Sequence, residues 1–228
     1  RPRRGKVIAM RMLFLAVLVL SPFTAAAESW QIVLGAEHRA DEAVRVAVED
    51  LTAYGAKCGV TFEVVSDEVF GEGNRLVVGT AARNRLAADL VAVGTESPQP
   101  PENPEGFSIR TATADGRRVM MVAGGSVLGD VYGLYWVWDR MRVARAVPDI
   151  TTTRAPAVPV RLGGAWGRGG GAGSSPERMR LALRYSYNWV PGTPILDLVP
   201  WDSEPEASAN AKNRDAARNL IAYAHSLH

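Results

Sequence analysis

The chain holds one cysteine and three histidines, and these two scarcities exclude much chemistry. A lone thiol cannot close an internal disulfide, so no cross-link reinforces the core. Cys58 sits in "YGAKCGV", between a helix end and a strand, and the sequence places no histidine beside it. It reads as a structural thiol rather than a nucleophile. His38, His225 and His228 lack the H-E-x-x-H spacing, so no zinc site is expected. The glycine run after the strand at 117–124 contains no G-x-S-x-G, which leaves a Ser-His-Asp hydrolase without its nucleophile elbow.

Long apolar runs are also scarce. The one prominent stretch, Met12 to Leu20, falls well short of the roughly 20 residues that a spanning helix needs. Arg1, Arg3, Arg4, Lys6 and Arg11 surround or precede it, and "SPFTAAA" follows with Ala25-x-Ala27. These three parts make residues 1–27 a secretory signal peptide, with cleavage before Glu28. The mature chain is expected to be secreted or periplasmic, with no stable membrane insertion. Without residues 1–27 the 26 basic residues fall to 21 against 24 acidic ones, a net charge of about −3 instead of +2. No basic patch remains to point to nucleic acid. The chain opens on Arg1 and stops at Leu227-His228 inside a helical pattern, which reads as a piece of a longer protein.

What is present is an alternation of strands and helices. "SWQIVLG" (29–35), "VTFEVVS" (60–66) and "NRLVVGT" (74–80) read as strands. The stretch 39–55 repeats apolar residues at the helical period and stops at Gly55, and a weaker helix is expected at 81–94. Prolines make 97–106 a loop. "FSIRTAT" (107–113), Asp115-Gly116 and "RRVMMVAG" (117–124) form a hairpin whose second strand is apolar on both faces. The following helix carries Val127, Val131, Leu134, Trp138 and Met141 on one stripe. The expected fold class is α/β (α+β): a mixed sheet with helices packed on one face, self-contained from Trp30 to Arg145. Residues 148–157 read as an extended linker within a proline- and threonine-rich stretch.

The glycines of "VMMVAGGSVLGDVYGLYWVWDRM" raise the question of phosphate binding. Gly124, Gly125, Gly129 and Gly133 do not match G-x-G-x-x-G, and there is no Gly-Lys-Ser/Thr. Asp149 has the distance of a ribose contact but lies in the linker. The reading is that Gly124-Gly125 turn the chain and that Gly129 and Gly133 let the helix approach its neighbours. No cofactor is expected.

The same stretch carries a resemblance. Glu105-Gly106-Phe107 opens the hairpin, Ala123-Gly124-Gly125 ends its second strand, and Gly129, Tyr132 and Gly133 make a Gly-x-x-Tyr-Gly helix. This resembles the accessory α/β (zincin-like, hexosaminidase domain-2-like) domain that precedes the barrel of exo-glycosidases such as β-N-acetylhexosaminidases and α-glucuronidases. The resemblance covers about residues 30–145. It implies an accessory domain at 28–147, an incomplete TIM-barrel start at 158–228 and a carbohydrate substrate. It also implies catalytic carboxylates on later barrel strands, so none is assigned here and the chain itself is expected to be inert. Arg161 and Trp166 are the candidate sugar contacts, because a first barrel strand would bring them to the rim where barrels build their sites. Trp189 and Trp201 read equally as site walls or packing. Asp202, Glu204 and Glu206 in "WDSEPE" read as solvated residues leading into a helix rather than the paired carboxyls of glycoside hydrolysis. The alternative is a stand-alone secreted carbohydrate-binding or interaction module.

Overall fold

The computed structural model describes residues 28–162, 175–189 and 207–228, so the leader-like segment, Trp166, Trp201 and the acidic trio lie outside the described residues. The elements are β1 (Glu28–Leu34), α1 (Ala36–Ala40), α2 (Glu42–Lys57), β2 (Val60–Ser66), β3 (Asn74–Val78) and α3 (Arg85–Ala92). There follow β4 (Phe107–Ala114), β5 (Arg117–Gly124), α4 (Val127–Ala144), β6 (Thr151–Arg154), α5 (Pro176–Arg184) and α6 (Ala207–Ser226). Among the described residues no helix is long and apolar enough to cross a membrane.

One six-stranded sheet runs in the order β2-β1-β3-β5-β4-β6. Strands β2, β1, β3 and β5 are mutually parallel, whereas β4 is antiparallel to both β5 and β6. The β4–β5 turn is the expected two-residue hairpin: Ala114 pairs with Arg117, and Asp115 and Gly116 take φ of 50° and 73°. Positive φ at both central residues gives a turn whose twist matches that of the strands.

Side-chain alternation divides the core between the two faces of the sheet. Trp30, Ile32, Leu76, Val78, Met120 and Val122 lie under α2 and α4, while Val33, Val77, Val119 and Met121 lie under α3 with Leu86, Ala87 and Leu90. The expectation of helices on one face is therefore corrected, since α3 covers the second face. Its start is also later than the apolar pattern suggests, because Asn84 caps it. The Asn84 carboxamide accepts from Ala87 N at 3.2 Å, and its nitrogen donates to the carbonyls of Val33 and Val78, each at 3.0 Å. The predicted helix 39–55 breaks at Asp41, whose side chain accepts from Val44 N at 3.0 Å and so starts α2 anew.

Two further differences concern the far end. Thr151–Arg154, expected in an extended linker, pair with β4 as an edge strand. The core also does not stop at Arg145: Met179 and Leu183 of α5, together with Leu227, belong to the same buried cluster as α2 and α4. The α/β region is thus not self-contained, because α5 and the end of the chain cover the outer side of α4. Cys58 caps α2 as a half-buried free thiol packed against this core.

Candidate functional site

At the glycine corner, β5 ends and α4 begins with Ser126 as its N-cap. The amides there already have acceptors within the protein. Gly124 N donates to Asp130 Oδ1 at 2.5 Å, Gly125 N to the Gly106 carbonyl at 2.9 Å, and Asp130 N to the Ser126 carbonyl at 3.1 Å. Asp130, wholly buried, also lies 2.9 Å from His38 Nε2 and receives a bond from Arg83 Nη2 at 3.0 Å. The same Arg83 nitrogen donates to the Gly124 carbonyl at 2.6 Å. The Gly124 amide and the Arg83 guanidinium are thus engaged by the protein's own carboxylate. The glycines serve close approach, as a Cβ on Gly124 would stand 2.2 Å from Asp130 N and one on Gly129 2.3 Å from the Gly106 carbonyl oxygen.

A second site lies on the other flank of α4. An open cleft of about 410 Å³ is lined by α4, the end of β6, the chain around Arg161 and the C-terminal end of α5. Its walls include Phe107, Tyr132, Tyr135, Trp136 and Trp138, and Glu105, Asp139, Arg154, Arg161 and Arg184 supply the charges. Each indole carries arginines: Arg154 and Arg140 stand 3.8 and 4.6 Å from the Trp136 ring centroid, and Arg184 and Arg142 stand 4.6 and 4.8 Å from that of Trp138. Cation–π contacts of this kind fix guanidinium groups in place on otherwise apolar walls.

Arg161, the described member of the predicted pair, is at the centre of the junction. Its side chain donates to the Ser186 carbonyl at 2.6 Å, to the Val158 carbonyl at 3.0 Å and to the Glu105 carboxylate, and Nη2 lies 3.5 Å from the Tyr132 hydroxyl. Asn188 completes the tie. It accepts from Arg161 N at 2.8 Å and donates to Glu105 Oε1 at 2.9 Å and to the Pro159 carbonyl at 2.7 Å. Glu105 and Tyr132, both quoted from the hairpin and helix motif, thus meet on one arginine. Burial, reinforced by the Glu105 charge, pushes the Tyr132 hydroxyl up to about 12. Tyr135 is raised further, again chiefly by burial, and its hydroxyl donates to Asp50 at 3.1 Å, where Arg184 also docks at 2.6 Å.

Sequence reasoning missed Asn188, Arg154 and the Asp50–Arg184 tie. The cluster of aromatics followed directly by Asp139 and Arg140 in "YWVWDRM" is the one local signal there. Trp189 is exposed and forms an isolated parallel bridge with Leu162, on either side of α5 in sequence. Among the described residues no cluster of His, Cys, Asp and Glu is arranged to hold a metal ion. Glu105 and Asp139 are each paired with an arginine.

No family model matches the chain, and no curated protein matches it. Solved structures do. A GH138 enzyme targeting pectin rhamnogalacturonan II superposes with a TM-score of 0.55 at 16% identity, covering 88% of this chain and 30% of that one. The structure of CpGH84D gives a TM-score of 0.48 at 10% identity, covering 87% of this chain and 39% of that one. The chain therefore spans well under half the length of either neighbour. The likeness to the GH138 enzyme establishes a shared fold: the mixed sheet with its helices is an architecture found within a glycoside hydrolase chain.

Proposed function

We propose that this chain is the non-catalytic N-terminal part of an exported glycoside hydrolase. In this reading the six-stranded unit is an accessory domain, and the chain from Val158 onward opens a (β/α)8 barrel. The observation that carries it is the Leu162–Trp189 parallel bridge with α5 between the two partners in sequence, directly after the sheet. A strand, a helix and a second, parallel strand make the repeating unit of such barrels. The fold shared with a part of the GH138 enzyme is consistent with a place inside a longer glycoside hydrolase.

The junction then has a mechanical role. Arg161 and Asn188 lie at the two ends of this unit, and both bind Glu105 of the accessory domain. Fixing the first two barrel strands against a rigid domain orients the barrel that follows. The Arg161 side chain works as a cavity wall that leaves room for sugar beside it, and Trp166, five positions on, remains the second proposed contact.

A panel of aryl glycosides tests the reading. The purified chain releases no aryl alcohol, whereas the polypeptide continued through further barrel strands does. Turnover by the chain alone overturns its inertness. A reading frame that closes soon after His228 removes the hydrolase and favours a stand-alone binding module.

A further inference from the structure

We infer that the junction cavity is a binding site for a carboxylate-bearing saccharide, its ring against the aromatic wall and its carboxylate on Arg154. The inference rests on the carbohydrate reading above, and it adds a site and a ligand class. At about 410 Å³ the cavity lies within the range of small-molecule sites, and Tyr132, Tyr135 and Trp138 give it an apolar side.

The charges decide the class. Among the described arginines that line the cavity, Arg161 is paired with Glu105 and Arg184 with Asp50. Arg154 has no carboxylate within ion-pair distance among the described residues, yet it lines the cavity from the exposed edge strand β6. Its guanidinium carbon lies 3.8 Å from the Trp136 ring centroid, a cation–π contact that positions the group without an ion pair. A guanidinium positioned in this way keeps its forked donors for a planar, bidentate acceptor, and a carboxylate matches that geometry. Asp139, also on the wall and half-exposed, keeps acceptor capacity beyond its bond to Arg140, which suits hydroxyl donors on the same ligand. An aromatic side, one unmatched cation and one carboxylate acceptor together fit a uronate better than a neutral sugar.

The test titrates the chain with sodium D-galacturonate, sodium D-glucuronate, methyl β-D-galactoside and sodium benzoate, read by calorimetry and by the tryptophan indole N–H signals in NMR. Binding of at least one uronate is expected, with the Trp136 and Trp138 signals shifting and that of Trp30, buried on the sheet, unmoved. The neutral galactoside should bind at least about tenfold more weakly, the usual scale for losing a charge-assisted bond. Arg154→Ala should lose about tenfold or more of the uronate affinity, and Arg154→Lys should fall between. Equal binding of acid and neutral sugar, benzoate binding without uronate binding, unchanged affinity in Arg154→Ala, or no binding of any uronate would each overturn the inference. Should Arg154→Ala not fold, the wild-type comparison of ligands and the indole shifts decide alone. Aryl-glycoside turnover is a separate measurement, so this site and the hydrolase reading fail independently.

Discussion

Replacing Asp130 by alanine is the sharpest perturbation of this fold, because one carboxylate serves three groups. Its Oδ1 receives the Gly124 amide at 2.5 Å, and its Oδ2 meets His38 and Arg83 at 2.9 and 3.0 Å. Both Asp130 and His38 have fully buried side chains, so water cannot take over the lost bonds. Removing one partner of a buried pair costs about 3–5 kcal/mol, since the other charge stays buried and unmatched. Domains of this size lose about 2–4 °C of melting temperature per kcal/mol, so Asp130→Ala should fall by roughly 6–20 °C. Asp130→Asn keeps an acceptor for Gly124, and a tautomer shift lets His38 accept from the new amide. Its loss should therefore be smaller than alanine's, shared between Arg83, which loses its counter-charge, and the buried His38 Nδ1, which has no partner for the displaced proton. The assay is equilibrium urea unfolding followed by tryptophan fluorescence, with calorimetric melting in parallel. If Asp130→Ala unfolds within about 1 kcal/mol of wild type, the carboxylate is not the anion that organises the glycine corner. A melting temperature raised by phosphate or NAD would refute the same reasoning from the other side.

Three more outcomes follow from single residues. Asn84→Ala removes a helix cap and two bonds to buried carbonyls, and should cost about 2–4 kcal/mol in the same urea assay, more than a cap alone. Gly129→Ala sets a methyl group against the Gly106 carbonyl, a backbone atom that cannot rotate away, and should lower the yield of folded protein on a solubility assay or cost over about 2 kcal/mol. Tyr132, raised from 10.0 to about 12, holds its proton longer in the folded state than in the unfolded one. Stability should then fall as pH rises through 10 to 12, by roughly 3 kcal/mol from this group, and the difference in urea midpoint slope between wild type and Tyr132→Phe isolates it from Tyr135.

The hairpin, the central apolar strands and the α4 stripe were legible because local patterns encode them: Asp115-Gly116, alternation, and the helical period. The glycine corner was legible in part. Its spacing spoke against a phosphate cradle, but the reason for the glycines was not visible. Asp130 in the first turn of a helix looks like an ordinary dipole-matched surface acid. Only the folded chain brings His38, 92 positions away, against it. Strand β6 was missed because an edge strand paired through its backbone needs no apolar alternation, and Thr151–Arg154 have none. Helix α3 was placed on the wrong face because nothing local distinguishes the two faces of a sheet that is apolar on both. At the junction, Arg161 is singled out in the sequence by the implied barrel strand, whereas the threonine- and proline-rich context of Arg154 gives no sign that its guanidinium lies over Trp136.

The composition of α4 explains why the buried core continues past Arg145. Tyr132, Leu134, Tyr135, Val137 and Met141 are all buried, which is more than one side of a helix. A helix lying on a sheet in water needs a single apolar stripe, whereas one that is apolar nearly all round must be covered on a second side. Here Met179 and Leu183 of α5 join the cluster that covers it, and the ties from Glu105 to Arg161 and from Asp50 to Arg184 fasten the cover at two points. The tyrosine of the Gly-x-x-Tyr-Gly pattern belongs to this second contact, because its hydroxyl faces Arg161 rather than the sheet. The motif that resembles an accessory domain is therefore, in this chain, half a description of the sheet and half a description of what docks against it.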